Sequence, residues 1–140
     1  YAAADDPSVA TASDTVTGSI SIAAGSVSST TGSITTYNID VTATSSSDYT
    51  LNGSDRNGSI SGSDPDLTFA IGDTINFNVD ATGHPFYLKT VQGIGTSDTV
   101  TGATNNGSEN ATVSWTPTTG GTYFYQCSIH AGMVGTITIQ

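Results

Sequence analysis

The chain has 140 residues, of which only two are Lys or Arg and twelve are Asp or Glu, so its formal net charge is −10. Such a chain lacks the cations that neutralise nucleic-acid phosphates and is repelled by anionic membrane surfaces, and no apolar stretch approaches the ~20 residues that span a bilayer. Its single Cys also excludes an internal disulfide and zinc sites that need paired Cys, so we expect one acidic domain that neither inserts in membranes nor binds nucleic acid.

The first 36 residues are rich in Ala, Ser, Thr and Gly and contain few aromatic residues. This composition predicts an arm or linker, and apolar residues that alternate with polar ones over 16–22 predict a strand-like stretch within it. An arm of this kind is able to add a strand to a neighbour's sheet. We therefore expect an N-terminal arm over residues 1–36, suited to self-assembly, and a folded domain over 37–140. Because the chain starts at Tyr1 without a basic leader, we also expect a processed or excised chain.

From Tyr37 onward, short stretches of alternating apolar and polar residues predict β-strands. Gly72 and Asp73 lie between two such stretches and predict a tight turn that joins two strands. The Asn, Gly and Ser residues of 52–59 predict a turn-rich segment. Because about seven short strands are separated by turn signals and no helical period occurs, the sequence predicts an all-β sandwich or barrel. The alternating stretches are 37–41, 67–71, 75–79, 111–115, 123–127 and 137–139.

The chain has one Cys, one Met and two His, and three of these four residues lie within seven positions, namely Cys127, His130 and Met133. The fourth is His84, upstream in Gly-His-Pro-Phe. Two imidazoles, one thiolate and a weak thioether are the donors of a blue-copper site, since a thiolate suits Cu(I) and imidazole suits either oxidation state. The sequence therefore predicts that these four residues bind one copper ion that alternates between Cu(I) and Cu(II).

These motifs resemble those of the cupredoxin family over residues 37–140, about three-quarters of the chain. The resemblance rests on His84 in Gly-His-Pro-Phe, on the predicted strand 121–127 that ends at Cys127, and on the motif Cys-x2-His-x2-Met over 127–133 that is followed by Gly135. The short ligand loop is similar to that of amicyanin. The resemblance implies a Greek-key β-sandwich, with His84, Cys127 and His130 as equatorial copper ligands and Met133 as the axial ligand. It also implies one-electron transfer and a periplasmic or extracellular location, in line with the acidic, Lys-poor composition.

One position departs from the family pattern. The better-known cupredoxins have Asn after the upstream His, and its backbone N–H donates to the Cys sulfur. Here that position is Pro85, which has no N–H. Because Ile129 retains an N–H where many relatives have Pro, we predict that the Cys127 thiolate accepts a hydrogen bond from Ile129. Such bonds tune the reduction potential of a copper site.

Enzyme activity is not expected from this sequence. Two His residues cannot build a second copper centre, a single Cys excludes the binuclear purple centre, and no Gly-x-Ser-x-Gly elbow is present. We expect an electron carrier whose acidic surface steers a basic redox partner to the region of His130. Two alternatives remain open: a structural or surface-assembly protein, filament-like or virion-like, that uses residues 1–36 in subunit contacts, and a protein for copper storage or delivery.

Overall fold

The computed structural model describes residues 33–140, and the predicted strand-like stretch over 16–22 lies outside this range, as does the predicted arm up to residue 32. The first described strand begins at Thr36, and the division into an arm over 1–36 and a domain over 37–140 stays a prediction. Over residues 33–140 no helix is present that is long and apolar enough to cross a membrane. The self-assembly role of residues 1–36 stays a prediction.

Nine strands form in the described part of the chain, and they are connected by turns and loops without helices. The strands in chain order are β1 (Thr36–Thr42), β2 (Thr50–Asp55), β3 (Gly58–Ser63), β4 (Leu67–Phe69), β5 (Thr74–Asp80), β6 (Phe86–Lys89), β7 (Thr112–Trp115), β8 (Gly121–Cys127) and β9 (Val134–Ile139).

The strands form two sheets. One has five strands in the order β3-β2-β1-β5-β7, and the other has four in the order β4-β9-β8-β6. The pairs β1–β5 and β4–β9 are parallel, and the remaining pairs are antiparallel. From β4 to β8 the chain changes sheet at every connection. This arrangement confirms the predicted all-β sandwich.

The core lies between the sheets and is built by the predicted alternation. In β1, for example, Ile39 and Val41 are buried, whereas Asp40 between them and Thr42 after them are exposed. Aromatic rings from the two sheets meet across the core: the ring centroids of Phe77 and Phe86 lie 5.0 Å apart, and those of Tyr37 and Phe69 lie 5.2 Å apart. Burial of this apolar layer contributes most of the stability of such a fold.

The prediction of a turn-rich segment over 52–59 is wrong for most of that segment. Strand β2 continues to Asp55 and β3 begins at Gly58, so only two residues form the turn. The small residues have a structural reason: a Cβ on Gly53 would collide with the backbone carbonyl of Asn38 in the neighbouring strand. The sequence predicted a loop here because Gly, Asn and Asp, which are frequent in this segment, are depleted in most strands.

The turn predicted at Gly72 and Asp73 is present, but it does not join two strands of one sheet. Strand β4 ends at Phe69, β5 begins at Thr74, and the two strands belong to different sheets. Ile71, predicted to continue the first strand, is 50% exposed. Gly72 adopts the left-handed region with φ of 90°, which Gly enters at little cost, and the turn there passes the chain from one sheet to the other.

The sandwich has two different ends. At the first, called the Cys127 end, β8 ends at Cys127, which pairs with Phe86 at the start of β6. At the second, called the Asp73 end, β8 begins at Gly121, which pairs with Ile139 near the end of β9. The backbone N–H of Ile71 donates to Gln140 there, so the turn that contains Asp73 packs at this end.

Asp73 organises its end of the sandwich through four hydrogen bonds. Its fully buried carboxylate accepts from Nε and Nη2 of Arg56 at 2.9 and 2.8 Å, from the N–H of Thr35 at 3.1 Å, and from the N–H of Ala70 at 2.8 Å. Burial alone would raise the pKa of Asp73, but the hydrogen bonds and the charge of Arg56 outweigh it and lower the pKa. The carboxylate therefore stays ionised and ties three segments together.

Candidate metal centre

The loop between β5 and β6 positions His84 at the Cys127 end. The N–H of His84 donates to the carbonyl of Ala81 at 2.9 Å, which closes a tight turn. Gly83 has a φ of 87°, and its N–H donates to the Glu109 carboxylate at 2.8 Å. The His84 ring is half-buried, so the loop holds it at the end of the sandwich with one edge near solvent.

The segment Cys127 to Met133, called the ligand loop, turns back on itself directly after β8. The N–H of Cys127 donates to the carbonyl of Met133 at 2.9 Å, and the N–H of Met133 donates to the carbonyl of His130 at 3.1 Å. Cys127 and Met133 are both fully buried, and His130 is half-buried. The turns after Cys127 and His130 are thus closed by hydrogen bonds within the loop's own backbone.

The structure brings His84, Cys127 and His130 together. Nδ1 of His84 lies 3.2 Å from Nδ1 of His130, and Nδ1 of His130 lies 3.5 Å from Sγ of Cys127. All three donor atoms lie within 4.8 Å of one another. Donor atoms bound to one ion at about 2.0–2.3 Å lie roughly 3–4 Å apart, so the three atoms have the spacing that one metal ion requires.

The two imidazoles present the same nitrogen to this point. In a neutral imidazole one nitrogen carries the proton and the other carries a lone pair. When the proton is on the outer nitrogen of both rings, two lone pairs and the Cys127 sulfur face one small volume. The donor set therefore fits a metal that accepts nitrogen and thiolate ligands, copper and zinc among them. Met133 is buried in the same loop, and its role as a fourth ligand stays a prediction.

Pro85 connects the two segments that supply the donors. Its carbonyl accepts from the N–H of Ser128 in the ligand loop at 3.3 Å and from the hydroxyl of Tyr49 at 3.0 Å. The Pro that cannot donate toward the sulfur therefore contributes its carbonyl as a bridge. The Ile129 side chain is 57% exposed, and the predicted bond from its N–H to Cys127 stays a prediction.

Tyr49 is a residue of this region that sequence reasoning missed. Its ring is fully buried and packs against Phe86 with centroids 5.1 Å apart. Its hydroxyl donates to the carbonyl of His84 at 2.8 Å and also approaches the Cys127 thiol. Burial, followed by the charge of Cys127, raises the pKa of Tyr49 well above its usual range, so the group stays a neutral donor. An isolated Tyr in a strand pattern carries no signal for this role.

Comparison with known proteins identifies the fold. No family model matches the sequence, and no curated protein matches it. Among solved structures, a copper protein, rusticyanin, superposes with a TM-score of 0.53 at 19% identity, over 75% of this chain and 78% of that chain. Rusticyanin from Thiobacillus ferrooxidans gives a TM-score of 0.51 at 21% identity, over 75% and 77%. The chain has the cupredoxin fold.

A reduced amicyanin mutant also matches, at 22% identity over 74% of this chain and 82% of that chain, with a lower TM-score of 0.44. The identities are low, so the shared feature is the cupredoxin fold alone. Within that fold, the end of β8 and the loop that follows it carry Cys127 and His130, and the β5–β6 loop carries His84. The two rusticyanin structures confirm the predicted cupredoxin resemblance at the level of the fold.

Proposed function

We propose that this chain binds one copper ion through His84, Cys127 and His130, with Met133 as a weak axial ligand, and that it transfers single electrons. The observation that carries the proposal is the convergence of two imidazole nitrogens and one thiol sulfur within 4.8 Å. Zinc accepts the same donors, but the buried thioether of Met133 adds a soft fourth group that copper sites use. Copper would supply the one-electron change between Cu(I) and Cu(II).

In this proposal the protein fixes the positions of the donor atoms and excludes water from the site. Cys127 and Met133 are fully buried, so solvent does not reach the sulfur atoms. His84 and His130 arrive from two loops that are joined by the hydrogen bond from the Ser128 N–H to the Pro85 carbonyl. The Tyr49 hydroxyl holds the first of these loops at the carbonyls of His84 and Pro85. A site whose shape is fixed by the fold rearranges little when the charge of the ion changes, because close packing around the ligands prevents them from moving.

Electron exchange with a partner would take place near His130. The ring of His130 is half-buried, and neighbouring residues Ile129, Ala131 and Gly132 are exposed, so a partner can approach closely. A net charge of −10 favours a basic partner. We infer a periplasmic or extracellular location from the acidic, Lys-poor composition. An electron-transfer rate to a basic partner that did not fall with ionic strength would contradict the steering.

The test of the proposed function is the visible spectrum of the full chain after addition of Cu(II), with Cys127→Ser as the matched variant. We expect an intense thiolate-to-copper charge-transfer band in the wild type that is absent from Cys127→Ser, because the band requires the sulfur ligand. Met133→Leu is expected to keep the band with a shifted position, since it removes only the weak ligand. A wild type that binds Zn(II) but gives no band with Cu(II) would overturn the copper proposal.

The surface-assembly alternative depends on residues 1–36, of which only 33–36 lie in the described part of the chain. It stays a prediction. Deletion of residues 1–36 followed by measurement of the molecular mass in solution tests it, because loss of assembly would support the arm's role and an unchanged monomer would remove it. Copper storage or delivery would appear as ready loss of Cu(I) to a chelator.

A further inference from the structure

Gln126 is buried on the face of β8 where a polar side chain is expected to meet solvent. Its neighbours Tyr125 and Cys127 are fully buried and lie on one face of the strand. Because side chains alternate along a strand, Gln126 lies on the opposite face. Nevertheless Gln126 is only 1% exposed. The connection after β6 reaches it, since the N–H of Gly93 donates to Oε1 of Gln126 at 3.0 Å.

The amide nitrogen of Gln126 faces the carbonyls of the ligand loop. Nε2 lies 2.9 Å from the carbonyl oxygen of Cys127, 3.2 Å from that of His130, 3.3 Å from that of Met133, and 3.5 Å from that of Ala131. The carbonyls of three proposed ligands therefore converge on one side-chain donor. A carboxamide has two N–H groups, so it serves this cluster of acceptors with two hydrogens.

The orientation of the amide is fixed by its surroundings. Gly93 offers an N–H and therefore needs the oxygen of Gln126, whereas the loop carbonyls need its nitrogen. Exchange of the two atoms would place an oxygen against four carbonyl oxygens. A buried polar group that is satisfied on both sides specifies one arrangement of the segments around it.

The only lysine of the chain supports the segment that holds Gln126. Lys89 is 2% exposed, and its Nζ donates to the carbonyls of Gly93 and Gly95 at 2.7 and 3.2 Å. The N–H of Gly95 donates in turn to the carbonyl of Ser128 in the ligand loop at 2.7 Å. Over residues 33–140 no carboxylate forms an ion pair with Lys89, so its buried charge is balanced by these backbone carbonyls.

We propose that Gln126, held by the Gly93–Gly95 segment that Lys89 supports, is the positioning residue that gives the ligand loop its shape before any metal binds. The inference rests on the proposed copper site for its functional meaning, since a loop shaped in advance presents Cys127 and His130 at a fixed spacing. The shape itself is a property of the metal-free chain and is measurable without copper.

The test is amide hydrogen exchange, followed by NMR, in the metal-free full chain. We expect the N–H groups of Met133 and Val134, which donate within the loop, to be protected in the wild type. In Gln126→Leu, which keeps the bulk and removes the amide, their protection should fall at least tenfold, while amides of the β1–β5 pair stay unchanged. Gln92→Leu, at an exposed position of the neighbouring segment, is the matched control and should change neither.

A second variant and a second measurement separate the possible outcomes. Lys89→Met is expected to lower protection at Gly95 by a larger factor than at Met133, because it acts on the loop through that segment. Addition of Cu(II) to Gln126→Leu should give a charge-transfer band that differs in position from the wild-type band, whereas Gln92→Leu should give the wild-type band.

Equal protection of the loop amides in the wild type and Gln126→Leu would overturn the proposal. Unprotected loop amides in the metal-free wild type would also overturn it, and this measurement holds even if Gln126→Leu does not fold. These outcomes are independent of the copper titration. A protected loop in a wild type that gives no copper band would sink the proposed function and leave the positioning role of Gln126 standing.

Discussion

The two ends of the sandwich are held together by different chemistry. At the Asp73 end an ionised carboxylate binds the one arginine of the chain and two backbone N–H groups. At the Cys127 end the side chains that act directly on the carbonyls of His84 and of the ligand loop are neutral, the Tyr49 hydroxyl and the Gln126 amide. Charged groups act there one step further out, Glu109 on the N–H of Gly83 and Lys89 on the carbonyls of Gly93 and Gly95. One end is therefore joined directly by an ion pair, whereas at the other end neutral hydrogen bonds contact the backbone of the proposed ligands.

This difference follows from what each end has to accommodate. A permanent Arg–carboxylate pair stabilises a fixed junction because both charges are satisfied in the folded state. A fixed anion beside a copper site would favour Cu(II) over Cu(I) through its charge. The Tyr49 hydroxyl and the Gln126 amide hold the backbone of His84 and of the ligand loop without themselves adding a charge there.

The largest difference between the two ends is expected when the Asp73 carboxylate is removed. We expect Asp73→Ala to lower the free energy of unfolding by roughly 2–3 kcal/mol, because the partly buried N–H groups of Thr35 and Ala70 and the Arg56 guanidinium lose their acceptor. Urea denaturation of the metal-free chain measures this effect. The copper band should be unchanged, since the variant lies at the other end of the sandwich.

Asp80→Ala is the control for that experiment, because Asp80 is exposed at the end of β5 and should cost about 0.5 kcal/mol or less. A variant at Asp73 as stable as the one at Asp80 would show that the charged junction is dispensable.

Removal of one hydroxyl tests the neutral end. Tyr49→Phe leaves the carbonyl of His84 without its side-chain donor, so we expect a loss of about 1–2 kcal/mol in the free energy of unfolding. The same change should shift the thiolate-to-copper band, because the hydroxyl also approaches Cys127. Denaturation and the visible spectrum are the two measurements.

Tyr123→Phe makes the identical chemical change toward the Asp73 end, where the Tyr123 hydroxyl donates to the carbonyl of Thr119 at 2.8 Å. This variant should leave the copper band where it is. If both variants shifted the band equally, the hydroxyl of Tyr49 would have no specific effect on the site.

The smallest expected effect is a difference between Asp64 and Asp73 in how their contributions to the free energy of unfolding depend on pH. Burial raises the pKa of Asp64, beside the Cys127 end, from 3.8 to about 6, against the opposing effect of a hydrogen bond from the Tyr49 N–H. Between these values the folded chain binds more protons than the unfolded chain, so the contribution of Asp64 to stability is present at low pH and is lost as the pH rises to about 6. Asp73, with a lowered pKa, has the opposite sign and loses its contribution as the pH falls below 3.8.

Asp64→Asn isolates this effect. The free energy of unfolding of the wild type minus that of the variant should decrease as the pH rises from about 4 to about 6. Asp66→Asn, two residues further on in the same loop and exposed, is the control. A difference that increased over that range would mean that the folded state prefers the ionised form of Asp64.

Several features could be predicted from the sequence because they depend on local pattern and rare residues. The period-two alternation of residues such as Ile39 and Val41 predicted strands and therefore a sandwich. The three donor atoms that the structure gathers, those of His84, Cys127 and His130, are among the few soft or imidazole donors that the chain contains. Because such residues are rare in this chain, they could be predicted as metal ligands from the sequence alone.

Other features depended on which segments become neighbours. The alternation over 123–127 places Gln126 on the outer face of β8, but a segment 33 positions away in the sequence covers it, and no local pattern encodes that contact. The same holds for Lys89, whose charge predicts exposure, and for the Gly and Ser residues of the β2–β3 hairpin.

The all-β fold class and the donor residues His84, Cys127 and His130 could be predicted from the sequence, because strand alternation and ligand chemistry are properties of single residues and their spacing. The tertiary structure alone decided how the donors are held. The Tyr49 hydroxyl meets the His84 carbonyl across 35 positions of chain, and Gln126 meets Gly93 across 33. Contacts between segments so far apart arise only when the two sheets pack, because packing removes water from these polar groups and leaves other groups of the protein as their hydrogen-bond partners.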